Sequence, residues 1–402
     1  MSDDIPNPFS GDDAESNPFA GMGMFGDLAK MMSQQGPVGW DAARQLAVSV
    51  ATDNNQEQNV DPLERIKLEQ FARIAEVHVS TATGLPTSFG GSGVAIIPVT
   101  RGQWATASLD VWRPMFERLA GALSASAPPV PSDSSDPMAF LAPIMAMIGP
   151  MMMGMTAGSM VGHLARRTFG QYDLPVPRAQ SDELVVVPTN YLAFGEEWSI
   201  PTDDLRMWVC VQEVAMHSVL RIPHVRATVE EFLSTYAAGF EPDPGALEQR
   251  LGSIELGDPN SMNDMSAMFG DPEIVLGAIQ SEQQRSMLPR FEAIIAAIVG
   301  YVDHITDTVG ASLLSNHSMI AEAVRRRRVE ADESDRFVER LFGLELTQAT
   351  YDRGTAFVKG IVERQGSEGL LRLWESDRSL PTPAEIEAPG LWLARIELPT
   401  DD

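Results

Sequence analysis

The sequence predicts a mainly α-helical domain with a few short β-strands. Three observations carry that reading. Long stretches place apolar residues at helical spacing. Runs of β-branched residues are short, and each closes on a proline. Apolar residues make up 44% of the chain and charged residues 21%, a balance suited to a packed core. At 402 residues the chain is long enough to bury a large one.

Residues 1–36 are rich in Asp, Gly, Pro, Ser and Met, lack a periodic apolar face, and read as a disordered tail. "NPFS" and "NPFA" recur there at Asn7 and Asn17, as a docking motif or as chance repetition in a biased tail. Residues 37–402 read as a single domain. The pattern turns helical at Trp40. A second helix opens with Asp61 as N-cap and Pro62 at the first helical position. In it Leu63, Ile66, Phe71, Ile74 and Val77 fall at helical spacing. A third covers about 102–123, with Pro114 a point of bending. Residues 124–137 read as a loop.

Met138–Val161 carries no charge. Pro143 and Pro150 interrupt it, and Gly154, Gly158 and Gly162 recur every fourth residue. It reads as a buried, broken helix rather than a membrane span. "GVAIIPV" and "ELVVVPTNYLAF" give the strand signals. Helices follow at about 202–219 and 225–238, then a long loop at 252–270. "MLPRFEAIIAAIVGYVDHITDTV" is a strongly apolar helix, and "AEAVRRRRVEADESDRFVERLFGLEL" a densely charged one. The end, "LPTPAEIEAPGLWLARIEL", reads as extended and proline-spaced.

The net charge of −27 repels nucleic acid and anionic membrane surfaces. The single cysteine, Cys210, forms no intrachain disulfide, and the N-terminus lacks a basic start followed by an apolar stretch; both fit the cytoplasm. Cys210 reads as a small buried residue with no nucleophilic partners. Arg325–Arg328 reads either as a docking patch or as a set of ion pairs within the domain. The acidic residues around it favour the ion pairs.

"CVQEVAMH", residues 210–217, has the outline of a zinc-protease helix. In H-E-x-x-H two histidines one turn apart hold zinc, and the glutamate activates its water. Here Gln212 and Met216 flank Glu213 at those positions. An amide oxygen and a thioether are poor zinc donors. A shifted register would use Glu213 and His217, four residues apart, with His304 or His224 as a further ligand. The simpler reading of His217 is a polar residue near a helix end.

Several blocks then resemble one family in order: "GPVGWDAARQLA", "VTRGQWA", "GQYDLPVPR", "VVVPTNYLAF", "MWVCVQEVAMHSVLRIPHVR", "VGYVDHI", "RRRR", "RLFGLEL" and "LPTPAEIEAPGLWLARI". The chain resembles the actinobacterial zincin-like zinc-dependent metalloproteases over nearly its whole length after the tail. The resemblance implies a zincin-like helical metalloprotease fold. It places the family's histidine, glutamate, histidine set on Gln212, Glu213 and Met216, and its third metal ligand on Val299. Only Glu213, the water-activating position, is kept. The expectation is a pseudoenzyme without a metal cofactor that binds a protein or peptide partner, or serves as a scaffold. The alternative is a zinc-dependent hydrolase with a rearranged site.

Overall fold

Two helices with buried residues all round their circumference, rather than along one stripe, form the centre of the molecule in the computed structural model. It describes residues 36–91, 93–125, 137–242, 278–330 and 338–398, with side chains described outside 124–148 and 241–280. The expected tail (1–36, save Gly36) and nearly all of the loops at 124–137 and 252–270 lie outside the described residues.

The helices, numbered in chain order, are α1 (Trp40–Ala51), α2 (Pro62–Thr83), α3 (Arg101–Ala125), α4 (Pro137–Ala165), α5 (Pro188–Glu197) and α6 (Thr202–Leu220). They continue with α7 (Pro223–Ala238), α8 (Glu282–Leu313), α9 (His317–Val329), α10 (Gln348–Gln365), α11 (Pro383–Glu387) and α12 (Pro389–Glu397). Strands β1 (Ala95–Pro98) and β2 (Glu183–Val186) pair in parallel, Ala95 opposite Glu183. Strands β3 (Phe240–Pro242) and β4 (Ala278–Gln280) pair antiparallel. The chain is thus mainly α with few short strands, as the sequence predicts. The central pair is α6 and α8; α2 packs on α6, and α10 on α8. Among the described residues α8 alone is long and apolar enough to cross a membrane, and most of that stretch is buried in the core.

Close approach is built from small residues. A Cβ on Gly154 would lie 2.3 Å from Gly39 O, and one on Gly158 would lie 2.4 Å from Ala43 O. The glycine spacing in α4 therefore seats α1, and Gly39 N–H donates to Pro150 O at 2.6 Å. Gly300 of α8 and Gly354 of α10 meet in the same way, each occupying the space a Cβ on the other would need.

Four expectations need correction. First, α4 is one helix of 29 residues, not a broken one: Pro143 and Pro150 lie inside it. Second, α2 begins as expected, with the Asp61 side chain accepting from Leu63 N–H at 2.9 Å. Its inward face, however, is Glu64, Leu68, Ala72, Ala75 and Val79. Leu63, Ile66, Ile74 and Val77 are exposed. Small residues let α6 approach closely, so the larger aliphatics point elsewhere.

Third, the charged helix does not run through to 346. α9 ends at Val329, and after a short helical turn at 338–341 Gly343 takes φ +66, which no helix allows. Fourth, the proline-spaced end is helical. Pro383 and Pro389 sit in the first turns of α11 and α12, where a missing N–H costs nothing. Thr382 and Glu385 close a capping box over α11.

Candidate functional site

Helix α6 carries Gln212, Glu213, Met216 and His217 into the core. Glu213, Met216 and His217 are each no more than 2% exposed. What meets this helix is the segment after α4, residues 168–178, whose turns are fixed by its own polar groups. Asp173 accepts from the N–H groups of Phe169 (3.0 Å) and Gly170 (3.2 Å). Gly170 O accepts from Trp104 Nε1 at 3.0 Å and from Thr168 Oγ1 at 2.6 Å.

Glu213 presses its carboxyl onto that turn. Oε2 accepts from Gln171 N–H and Oε1 from Tyr172 N–H, both at 3.2 Å. A Cβ on Gly170 would stand 2.2 Å from Glu213 Oε1, so only glycine fits there. Burial, with the Asp173 charge adding to it, pushes the Glu213 carboxyl well above the usual carboxylate range. The two N–H groups and the Arg178 guanidinium pull the other way without prevailing.

Arg178 is itself buried between two indoles, 5.2 Å from the Trp104 ring and 4.5 Å from that of Trp112. It donates to Gln171 O (3.1 Å) and Ser108 Oγ (2.9 Å). Burial brings it down to about 10.

His217, one turn on from Glu213, faces different partners. Its Nδ1 lies 2.9 Å from the Tyr172 hydroxyl. Its Nε2 is 3.5 Å from Asp182 Oδ1, an ion-pair distance too long for a well-formed hydrogen bond. The Phe89 ring packs edge-on at 5.7 Å. Burial lowers His217 to about 4, against the opposing pull of Asp182.

Beside Gln212 and Glu213 a cavity of about 60 Å³ remains, bounded by Phe169, Asp173, Trp208, Arg327 and Tyr351 among others. Gln212 Oε1 is buried and accepts no hydrogen bond from the protein. The four arginines of α9 pair within the domain. Arg325 and Arg326 bind Glu322, Arg327 binds Asp173 at 2.9 Å, and Arg328 grips Asp303 with two bonds of 2.6 Å. Arg327 also lies over the Phe169 ring at 3.7 Å, so it roofs the cavity.

The structure brings Gln212 and Glu213 to one cavity. Met216 and Val299 lie on α6 and α8, which pack together, and both are buried, but neither lines that cavity. His304 is half-buried on α8 and His224 lies on α7; burial lowers both. Among the described residues no three His, Cys, Asp or Glu side chains gather where they could hold a metal ion. The expected site residues did not include Gly170, Tyr172, Asp173, Arg178 or Asp182. The first four belong to "GQYDLPVPR", a block singled out for its resemblance but not for its chemistry.

The central helix of this helical domain thus sets a buried glutamate against a tight turn, beside a small cavity roofed by Arg327. The zincin-like metallopeptidase family model matches residues 38–393, and the chain belongs to that family. Among solved structures, a crystal structure of a proposed hydrolase with a novel fold from Chloroflexus aurantiacus is similar. It shares 21% identity and a TM-score of 0.63, over 90% of this chain and 99% of that one. That likeness is one of fold. No curated protein matches significantly.

Proposed function

We propose that this chain is a non-hydrolysing member of its family that acts as a protein-binding scaffold. The observation that carries the reading is the donor set at the positions where the resemblance places the family's metal ligands. Gln212 offers a neutral amide oxygen, Met216 a thioether and Val299 no donor at all. A catalytic zinc needs about three nitrogen, sulfur or carboxylate ligands. Both Glu213 oxygens already accept backbone N–H groups, and burial favours its neutral form. The residues present do not fit a zinc ion.

The cavity favours a scaffold over a peptide held beside Glu213. Small-molecule sites span roughly 300–1,000 Å³, and the space beside Glu213 is about 60 Å³. A space of that size does not admit a peptide, so the proposed binding uses another part of the surface. The alternative set of Glu213, His217 and His304 gains no support: Glu213 faces the Gly170 turn, and His217 faces Tyr172 and Asp182.

The test is elemental analysis of the purified protein with a peptide-hydrolysis assay. The expected result is no stoichiometric zinc, no hydrolysis, and a melting temperature unmoved by chelator. Near-equimolar zinc, with a hydrolytic rate abolished in Glu213→Gln, would overturn the reading.

A further inference from the structure

Helix α2 presents an apolar stripe to solvent. Leu63 is 65% exposed, Ile66 51%, Ile74 41% and Val77 63%, and with Gln70 they follow one another at three- or four-residue steps along a single face. No described side chain covers them. Four aliphatics in line on one helix are not the scattered surface apolars of an ordinary monomer.

The stripe is symmetric about Gln70. Leu63 and Val77 each lie seven residues from it, and Ile66 and Ile74 each four. A two-fold axis through Gln70 therefore sets Leu63 of one copy against Val77 of the other, Ile66 against Ile74, and amide against amide. Such an isologous contact uses one patch twice. In an antiparallel pair the same flank of each helix meets across the seam. The flank carrying Glu69 also carries Arg73, both exposed, and the two-fold brings Glu69 of each copy beside Arg73 of the other. In this register Glu69 and the other copy's Arg73 are offset by about 3 Å along the axis, within reach of two long side chains, so the charges accommodate the register that the apolar pattern sets.

We propose that the exposed face of α2 is the interface of an antiparallel homodimer centred on Gln70. This goes beyond the scaffold reading and does not rest on the loss of zinc binding.

The test uses the cysteine content. Cys210 is the chain's one cysteine and is fully buried, so a cysteine placed on α2 is the only accessible thiol. The full chain should measure as a dimer by light scattering, and Ile66→Glu with Ile74→Glu should be a monomer of unchanged helical content. With a thiol cross-linker no longer than the about 8–10 Å between packed helices, Gln70→Cys should cross-link to itself. Leu63→Cys alone should not, because its two copies stand about 21 Å apart at 1.5 Å per residue. A mixture of Leu63→Cys and Val77→Cys should cross-link.

A monomeric wild type overturns the proposal, and so does a monomer that dimerises only after residues 1–35 are removed, which would make the tail the cover. Cross-linking of Leu63→Cys to itself would mean a parallel pair and overturns it too. None of these outcomes bears on zinc, and bound zinc would not bear on the dimer.

Discussion

Glu213 is the residue on which sequence and environment disagree most. Its carboxyl sits 1% exposed against a peptide turn. Its folded pKa is raised above the unfolded value of 4.5. A raised acid favours the native state below the unfolded value and loses that contribution as pH rises toward the folded one. Glu213→Gln forfeits one backbone hydrogen bond, about 1 kcal/mol, but removes the titration. The stability difference between variant and wild type should therefore shift toward the variant by up to about 1.4 kcal/mol per pH unit above 4.5. Denaturant titration at several pH values checks this, and parallel profiles would mean that Glu213 is ionised throughout. His217 works with the opposite slope. Lowered to about 4, it stays neutral when the unfolded chain takes up a proton, so its contribution falls between pH 6.5 and 4.

At the scale of elements, glycine contacts decide which helices touch. Gly158→Val would drive a side chain into Ala43 O, a backbone atom that cannot swing aside, and should cost about 3 kcal/mol. Gly121 in α3 is exposed with nothing within 4 Å of a new Cβ. There Gly121→Ala should stabilise by about 0.5–1 kcal/mol. Thermal melts of the two variants should move in opposite directions, and a shared sign would refute the close-approach argument. The Gly154, Gly158, Gly162 spacing was legible in the sequence, but its partner α1, over 100 residues away, was not. Asp61 and Pro62 announced a helix start because capping is local. The face of α2 was not local: Ala72 and Ala75 are less apolar than Ile66 and Val77, yet are buried because α6 lies on their side. Pro383 and Pro389 looked like breakers, whereas each begins a helix, and the Thr382–Glu385 spacing held that information.

For the molecule as a whole, acid is the expected weak point. Burial raises Glu64, but hydrogen bonds from Arg206 (2.6 and 2.7 Å) and Tyr191 (2.7 Å) win and hold it below its usual value. Asp182 and Glu385 are depressed as well, each against its own burial, by hydrogen bonds from backbone and side chains. Depressed carboxylates stabilise above their unfolded values, and that stability is lost as pH falls through the folded ones. Between about pH 6.5 and 4.5 the slope from His217 and the opposite slope from Glu213 offset one another, so the melting temperature at fixed salt should change little there and fall steeply below about 4.5, where the depressed carboxylates take up protons. A profile that stays flat from about pH 4.5 down to about 3 would contradict this. Glu64→Ala leaves Arg206 buried with only Asp203 and should cost about 3–5 kcal/mol at neutral pH. The overall fold was legible because helical periodicity and a family likeness run along almost all of the chain. The site was legible only at Glu213 and its flanking positions on one helix. The turn that holds Glu213, the indoles around Arg178 and the arginine roof come from distant segments, and contacts of that kind leave no periodic trace.

Cys210 lies midway along α6 with none of its surface exposed. A thiol reagent reaches it only when the central helix parts from its neighbours, so the rate of modification in the native protein counts those openings directly. Burial also raises the thiol, so the closed form is inert even when a reagent comes near. One sulfur atom thus makes the chain its own stopwatch. The time a folded molecule takes to lose its free thiol reports how often the centre breathes, with no label added and no second cysteine to confuse the count.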